Sequence, residues 1–120
     1  MARYVDGFVI PVPRKNLAAY RRMARKAGRI WREHGALSFT ETVAEDLAPH
    51  GVIPFARVVK TKPGEVVVFS WIMFTSRAHR DRVNAKVMVD PRMGPMMDPK
   101  AMPFDAERMI YGGFSVLVDL

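Results

Sequence analysis

Two carboxylates stand on segments that otherwise read as β-strands. Asp6 lies within Tyr4-Val5-Asp6-Gly7-Phe8-Val9-Ile10, and Glu41 shares one face of an alternating run with Leu37, Phe39 and Val43, opposite Ser38, Thr40 and Thr42. A carboxylate among apolar neighbours must be paired or hydrogen-bonded, or its neutral form is favoured and its pKa rises. Left unpaired, Asp6 or Glu41 is a candidate general base. The competing reading is a structural ion pair, with Arg80, Arg82 or Arg108 as the available cations. Ser70, Trp71, His79, Asn84 and Tyr111 are the remaining polar and aromatic groups expected to meet these carboxylates in a cavity or at its mouth. Together they would suit proton transfer to or from a small molecule, with Trp71 and Tyr111 shaping the pocket.

Other chemistries drop out. The chain contains no cysteine, which removes thiol nucleophiles, disulfide scaffolds and thiolate metal sites and fits a reducing compartment. It has no Gly-rich phosphate loop, no zinc-ligand spacing and no Ser-His-Asp arrangement, so kinases, zinc enzymes and triad hydrolases are set aside and no metal is expected. Methionine is unusually clustered, with Met88, Met93, Met96, Met97, Met102 and Met109 inside one short stretch. Soft thioethers suit Cu(I), but such carriers usually add His or Cys, and His79 is the nearest histidine. Met also fills irregular apolar gaps, and a packed lid or interface is the reading adopted here.

The formal net charge is +7, and residues 1–35 carry the whole excess, with nine Lys/Arg against two Asp/Glu. Within that third, Leu17, Tyr20, Ala24, Ala27 and Trp31 recur at helical spacing from Arg14 to His34, and Gly35 supplies the stop. Arg21, Arg22, Arg25, Lys26, Arg29 and Arg32 fall on the opposite half of the wheel and form a solvated cationic face. Such a face can meet phosphates, so contact with RNA or another polyanion is the alternative functional reading. No aromatic is interleaved as a base-stacking platform, and no nucleic-acid motif occurs.

The elements that must hold these groups follow from pattern. The 120 residues, 49% hydrophobic and 26% charged, make one domain spanning 1–120. The longest apolar run, Val66 to Phe74, is far short of the roughly 20 residues of a membrane-spanning helix, and no signal-peptide pattern opens the chain, so a cytoplasmic protein is expected. Tyr4 to Val12 reads as a first strand, Arg14 to His34 as a helix and Ala36 to Glu45 as a second strand. A connection punctuated by Pro49, Gly51, Pro54, Pro63 and Gly64 follows, with Phe55 to Val59 as an extension of a neighbouring strand. Glu65 to Phe74, apolar on both faces, reads as a central third strand. Ser76 is the expected N-cap of a second helix reaching about Val89, and Asp90 to Pro103 the expected lid or partner loop. Met109 to Asp119 is the fourth strand, with Gly112-Gly113 suggesting a bulge. The order β-α-β-β-α-β is the α+β ferredoxin-like arrangement, a four-stranded antiparallel sheet with two helices on one face. Strands three and four are apolar on both sides, so the uncovered face predicts a homodimer with sheets facing each other.

Three strings carry a family resemblance. They are Tyr4-Val5-Asp6-Gly7-Phe8-Val9-Ile10-Pro11-Val12-Pro13, Arg80-Asp81-Arg82-Val83-Asn84-Ala85-Lys86-Val87-Met88 with Asp90-Pro91-Arg92-Met93, and Phe104-Asp105 with Arg108-Met109-Ile110-Tyr111-Gly112-Gly113-Phe114. With them the chain resembles the YbaA-like family of unknown function over nearly its whole length. The resemblance implies a dimeric α+β barrel in which two ferredoxin-like protomers pair their sheets around a central cavity. It implies no fixed activity, since relatives of that barrel include cofactor-free monooxygenases, isomerases and haem-degrading enzymes. The haem-degrading relatives use an Asn on the first strand, a Trp on the third and a ligating His on the second helix. Asp6, Trp71 and His79 fall in comparable elements here, with Asp in place of Asn and a shorter Trp-to-His spacing. A small apolar or aromatic ligand without cofactor is the expectation, and haem the alternative.

Overall fold

The first strand of the chain is a central strand of the sheet. In the computed structural model, which describes residues 2–48 and 50–120, β1 (Tyr4–Pro13) is flanked by β3 (Glu65–Phe74) and β4 (Ile110–Ser115), and β2 (Ser38–Val43) lies on the far side of β3. Every pairing is antiparallel, in the order β2-β3-β1-β4. Register is fixed by residue pairs such as Gly7, which opposes Trp71 on one side and Gly112 on the other.

The period of two along each strand divides the side chains between two layers. Tyr4, Asp6, Phe8, Ile10 and Val12 share a face with Val66, Val68, Ser70, Ile72 and Phe74, and with Phe39 and Glu41 of β2. Against this face pack α1 (Leu17–Glu33) and α3 (Arg77–Met88), in two clusters. One joins Ile10, Val12, Tyr20, Ala24, Val66 and Val68, and the other Ile30, Ala36, Ile72, Phe74, Val83 and Val87. The helix ends obey their sequence signals. Gly35 follows α1 with φ +115°, and the Ser76 hydroxyl accepts from the His79 amide at 3.1 Å to cap α3. Among the described residues no helix is long and apolar enough to cross a membrane.

The β-α-β-β-α-β order is therefore present, with three local differences. Phe55–Val59 is a short helix, α2, ended by Lys60 in the left-handed region, where the sequence suggested strand. With no neighbour to pair, this backbone bonds within itself, Thr61 N–H reaching Ala56 C=O, while Phe55 lies against Phe69 on the face opposite α1 and α3. The Met-rich stretch is not a plain loop, because Met93–Met96 closes one further turn, α4. No bulge interrupts β4, which pairs residue for residue with β1 and ends at Ser115. Its glycines answer to sterics instead: a Cβ on Gly113 would collide with the Tyr4 ring, and one on Gly112 would lie 3.2 Å from Phe114. Pro49, expected to punctuate the β2–β3 connection, lies outside the described residues.

Candidate functional site

Alternation brings most of the candidate groups to the helix side of the sheet. Glu41 and Ser70 are register partners on β2 and β3, and Phe8 sits beside Ser70 on β1. Asp6 lies one pleat further along β1, and Tyr111 of β4 pairs with Phe8. Over them α1 and α3 leave a cavity of about 390 Å³. Met23 of α1 and all six clustered methionines from Met88 to Met109 line it, with Phe8, Trp31, Phe39 and Phe104 completing an apolar wall. The Met-rich segment expected to act as a lid thus forms one side of a partly open space, its unbranched thioethers lining it.

The two carboxylates have opposite surroundings. Asp6, 1% exposed, accepts from the Arg80 guanidinium at 2.7 Å and from the Tyr111 hydroxyl at 3.1 Å. Asn84 reaches it from α3 at 3.5 Å and accepts in turn from the Trp31 indole N–H at 3.0 Å. Arg80 also donates to Tyr111 and Asp81 and lies over the Tyr4 ring. Partial burial, and then the Asp6 carboxylate, raise the Tyr111 pKa, so that its phenol stays a donor. Asp6 is thus the hub of a satisfied network joining β1, β4 and both long helices.

Among the described residues Glu41 has no cation within bonding distance. It accepts from the Tyr20 hydroxyl at 2.7 Å, and Ser70 stands beside it as a second neutral donor. Burial pushes its carboxyl above the usual carboxylate range, and the two hydroxyl bonds only partly oppose that rise. Tyr20 is raised as well, by burial first and then by Glu41, and so remains protonated. Arg108, one of the cations considered for these carboxylates, bonds Glu65 at 2.6 Å and the Lys60 carbonyl, which pins the turn before β4 to the start of β3.

Two candidates stand apart from the rest. Trp71 borders the cavity floor, yet alternation turns its indole to the face opposite α1 and α3, where the ring lies 5.4 Å from Phe69. His79 is engaged at the start of α3: its Nδ1 accepts from the Thr75 amide at 3.0 Å, its ring meets Phe74 edge-on, and Nε2 faces Gly35. His79 thus stands away from the cavity that Asp6 and Trp71 both border. Among the described residues no three His, Asp or Glu side chains converge as metal ligands. The groups that sequence reasoning missed are Tyr20, Met23 and Phe104. Tyr20 was counted only as an apolar helix position, although a buried tyrosine hydroxyl always demands a partner and so points to one.

This partly open cavity lies within a single protomer, between sheet and helices, whereas the resemblance implied one between paired sheets. The opposite face of the sheet carries Val5, Val9, Phe69, Trp71, Met73, Ile110 and Phe114 with little above them but α2. Phe69 is 43%, Ile110 40% and Phe114 59% exposed. On the outer side of α1, Arg21, Arg22, Arg25, Lys26, Arg29 and Arg32 are all exposed. Four of them (Arg21, Arg25, Arg29 and Arg32) line an open groove along β2.

Known proteins share this architecture and this sequence. The chain is 47% identical over 117 residues to the uncharacterized protein YbaA of Escherichia coli strain K12, covering 98% of each chain, and equally similar to that of Shigella flexneri. A dimeric ferredoxin-like protein from an uncultured marine organism has the same fold, with a TM-score of 0.69 across the whole of both chains at 9% identity. Residues 3–106 match the family described as protein of unknown function DUF1428, and the chain belongs to that family.

Proposed function

We propose that the protein works as a homodimer whose cavity, beneath α1 and α3 of each protomer, binds a small uncharged aromatic or otherwise apolar molecule, with Glu41 engaging the ligand's polar atom. The observation that carries this reading is a carboxylate without a cation partner set into the wall of a methionine-lined space of about 390 Å³. Such a group opposes folding stability, and that cost makes sense where the carboxylate meets a ligand. Methionine walls adapt to flat, polarizable molecules and supply no charge for an anion. In an enzymatic version Glu41 takes a proton from an acidic C–H or O–H of the ligand, while the Tyr20 and Ser70 hydroxyls hold the carboxylate in place. That chemistry suits an isomerase or, with dioxygen as the oxidant, a cofactor-free monooxygenase. Asp6 is unsuited to the same task because Arg80 and Tyr111 already occupy it.

The homodimer is supported by the exposed apolar sheet face and by the dimeric description of the fold's solved relative. The basic row on α1 supports a separate contact with a polyanion, which steep weakening by salt would distinguish from cavity binding.

The cavity reading is tested by calorimetric titration with neutral phenols and naphthols. Binding that changes little between low and high salt, and that weakens about tenfold in Glu41→Gln, is expected. Equal affinity of parent and variant for every phenol bound would remove Glu41 from the site. Absence of binding across the panel would overturn the cavity reading.

A further inference from the structure

The groove beside α1 joins two features that are seldom found together: a row of arginines and an open strand edge. β2 is bonded to β3 on one side only. The Ala44 amide donates to Val67, its register partner, so antiparallel alternation directs the amides and carbonyls of Thr40 and Thr42 to β3 and those of Phe39, Glu41 and Val43 outward. These are three residues' worth of unpaired backbone donors and acceptors on an exposed edge. α1 runs antiparallel alongside, since Tyr20 touches Glu41, Gly28 abuts Phe39, and Arg32 bonds the carbonyls of Ala36 and Leu37. Along the groove side of α1 stand Arg21, Arg25 and Arg29. Of the two acids lining the same groove, Glu33 is bonded to Arg92 and Glu41 is turned inward to Tyr20.

Resting on the polyanion reading of α1, we infer that this groove binds an extended acidic peptide, which adds a strand to β2 and sets carboxylates at alternate positions against Arg21, Arg25 and Arg29. The spacing agrees. Residues four apart on a helix rise about 6 Å, and side chains on one face of a strand repeat about every 6.7 Å. Backbone bonding to Phe39, Glu41 and Val43 supplies affinity and register, and the arginines select the side chains. A second copy is a poor occupant, because edge-to-edge pairing of two β2 strands would bring two arginine rows together. Single-stranded RNA satisfies the arginines but leaves the strand edge unpaired, and the aromatics that line the groove, Tyr20 and Phe39, are held by Glu41 and Trp31. The groove lies on the helix side of the sheet, clear of the apolar face proposed for the dimer.

The test uses fluorescence anisotropy with a short peptide alternating Glu and Thr. Its comparators are the same peptide N-methylated at the edge-facing amides, a peptide of equal composition with the glutamates blocked together, and an oligouridine of equal charge. The alternating peptide should bind the parent protein and weaken about tenfold in Arg25→Glu/Arg29→Glu. It should change far less in Arg22→Glu/Lys26→Glu, which alters the same charge on the same helix away from the groove. N-methylation should abolish binding. Equal binding of the N-methylated or blocked peptide, or equal loss in both double variants, would overturn the strand-addition site. Oligouridine binding without peptide binding would overturn it too while leaving the polyanion reading standing, and failure of both probes would end both. Unchanged melting temperatures of the two double variants keep a folding defect from imitating either result.

Discussion

At the scale of single residues, Asp6 and Glu41 belong to one chemical class on adjacent parts of one sheet face, and their neighbours give them opposite energetics. Replacing Asp6 by Asn should remove the buried partner of Arg80, leaving it the exposed Asp81 and the Tyr111 hydroxyl, and destabilise the protein by about 1 to 3 kcal/mol, read from urea unfolding. Replacing Glu41 by Gln should do the reverse at neutral pH. Because burial raises the folded-state pKa of Glu41 above its unfolded value, its contribution to stability is fully present below the unfolded value of about 4.3 and is lost as pH rises through the folded one. Glu41→Gln, neutral throughout, should therefore melt above the parent protein at pH 7 to 8, with the gap closing toward about pH 4. A Glu41→Gln protein that melts below the parent at every pH would show that the carboxylate is structural. Both residues stood out in the sequence because each interrupts an apolar strand face. Their partners were less legible. Arg80 was one of three available cations, and only the fold brings it within reach of Asp6 across 74 positions.

At the scale of elements, the approach of α1 to β2 depends on one missing side chain. A Cβ at Gly28 would come 2.6 Å from the Phe39 ring, so Gly28→Ala must push the helix off the strand or turn the ring. Alanine raises intrinsic helix stability by about 1 kcal/mol, yet overpacking of this kind costs about 1 to 3 kcal/mol, and the net effect should be a lower melting temperature. Gly28→Ala/Phe39→Leu should recover most of the loss, and a Gly28→Ala protein more stable than the parent would refute the contact. The long elements were legible because their patterns are strong: the stripe of α1, the alternation of β2 and the nearly unbroken apolar run of β3. Phe55–Val59 was not, since a five-residue, largely apolar segment fits either period and its helical form follows from the lack of a strand to pair with. Gly112 and Gly113 suggested a bulge because sequence alone does not reveal the rings of Phe114 and Tyr4 lying across them.

At the scale of the whole molecule, the sheet face opposite α1 and α3 is where the proposed homodimer is tested. Phe114 is 59% exposed in the single chain, so Phe114→Glu removes little from the protomer itself but places a charge within the expected contact between sheets. Sedimentation equilibrium at low micromolar concentration should give a dimer for the parent and a folded monomer for Phe114→Glu, and a parent monomer would refute the assembly. The cavity was harder to foresee at this scale, because its wall gathers Met23 and Phe104 from opposite ends of the chain. The sheet order also bears on synthesis. β1 is made early, and its two flanking strands begin at Glu65 and Ile110. While a ribosome is still building the chain, residues 4–13 must wait unpaired, and Asp6 has neither Arg80 nor Tyr111 to meet. Contacts this distant in sequence slow folding and prolong the exposure of an apolar strand. Glu65–Phe74 covers one edge of the first strand and the last strand closes the other, so the nascent chain is most open to mispairing before residue 65 is reached and keeps one open edge until the sheet is complete.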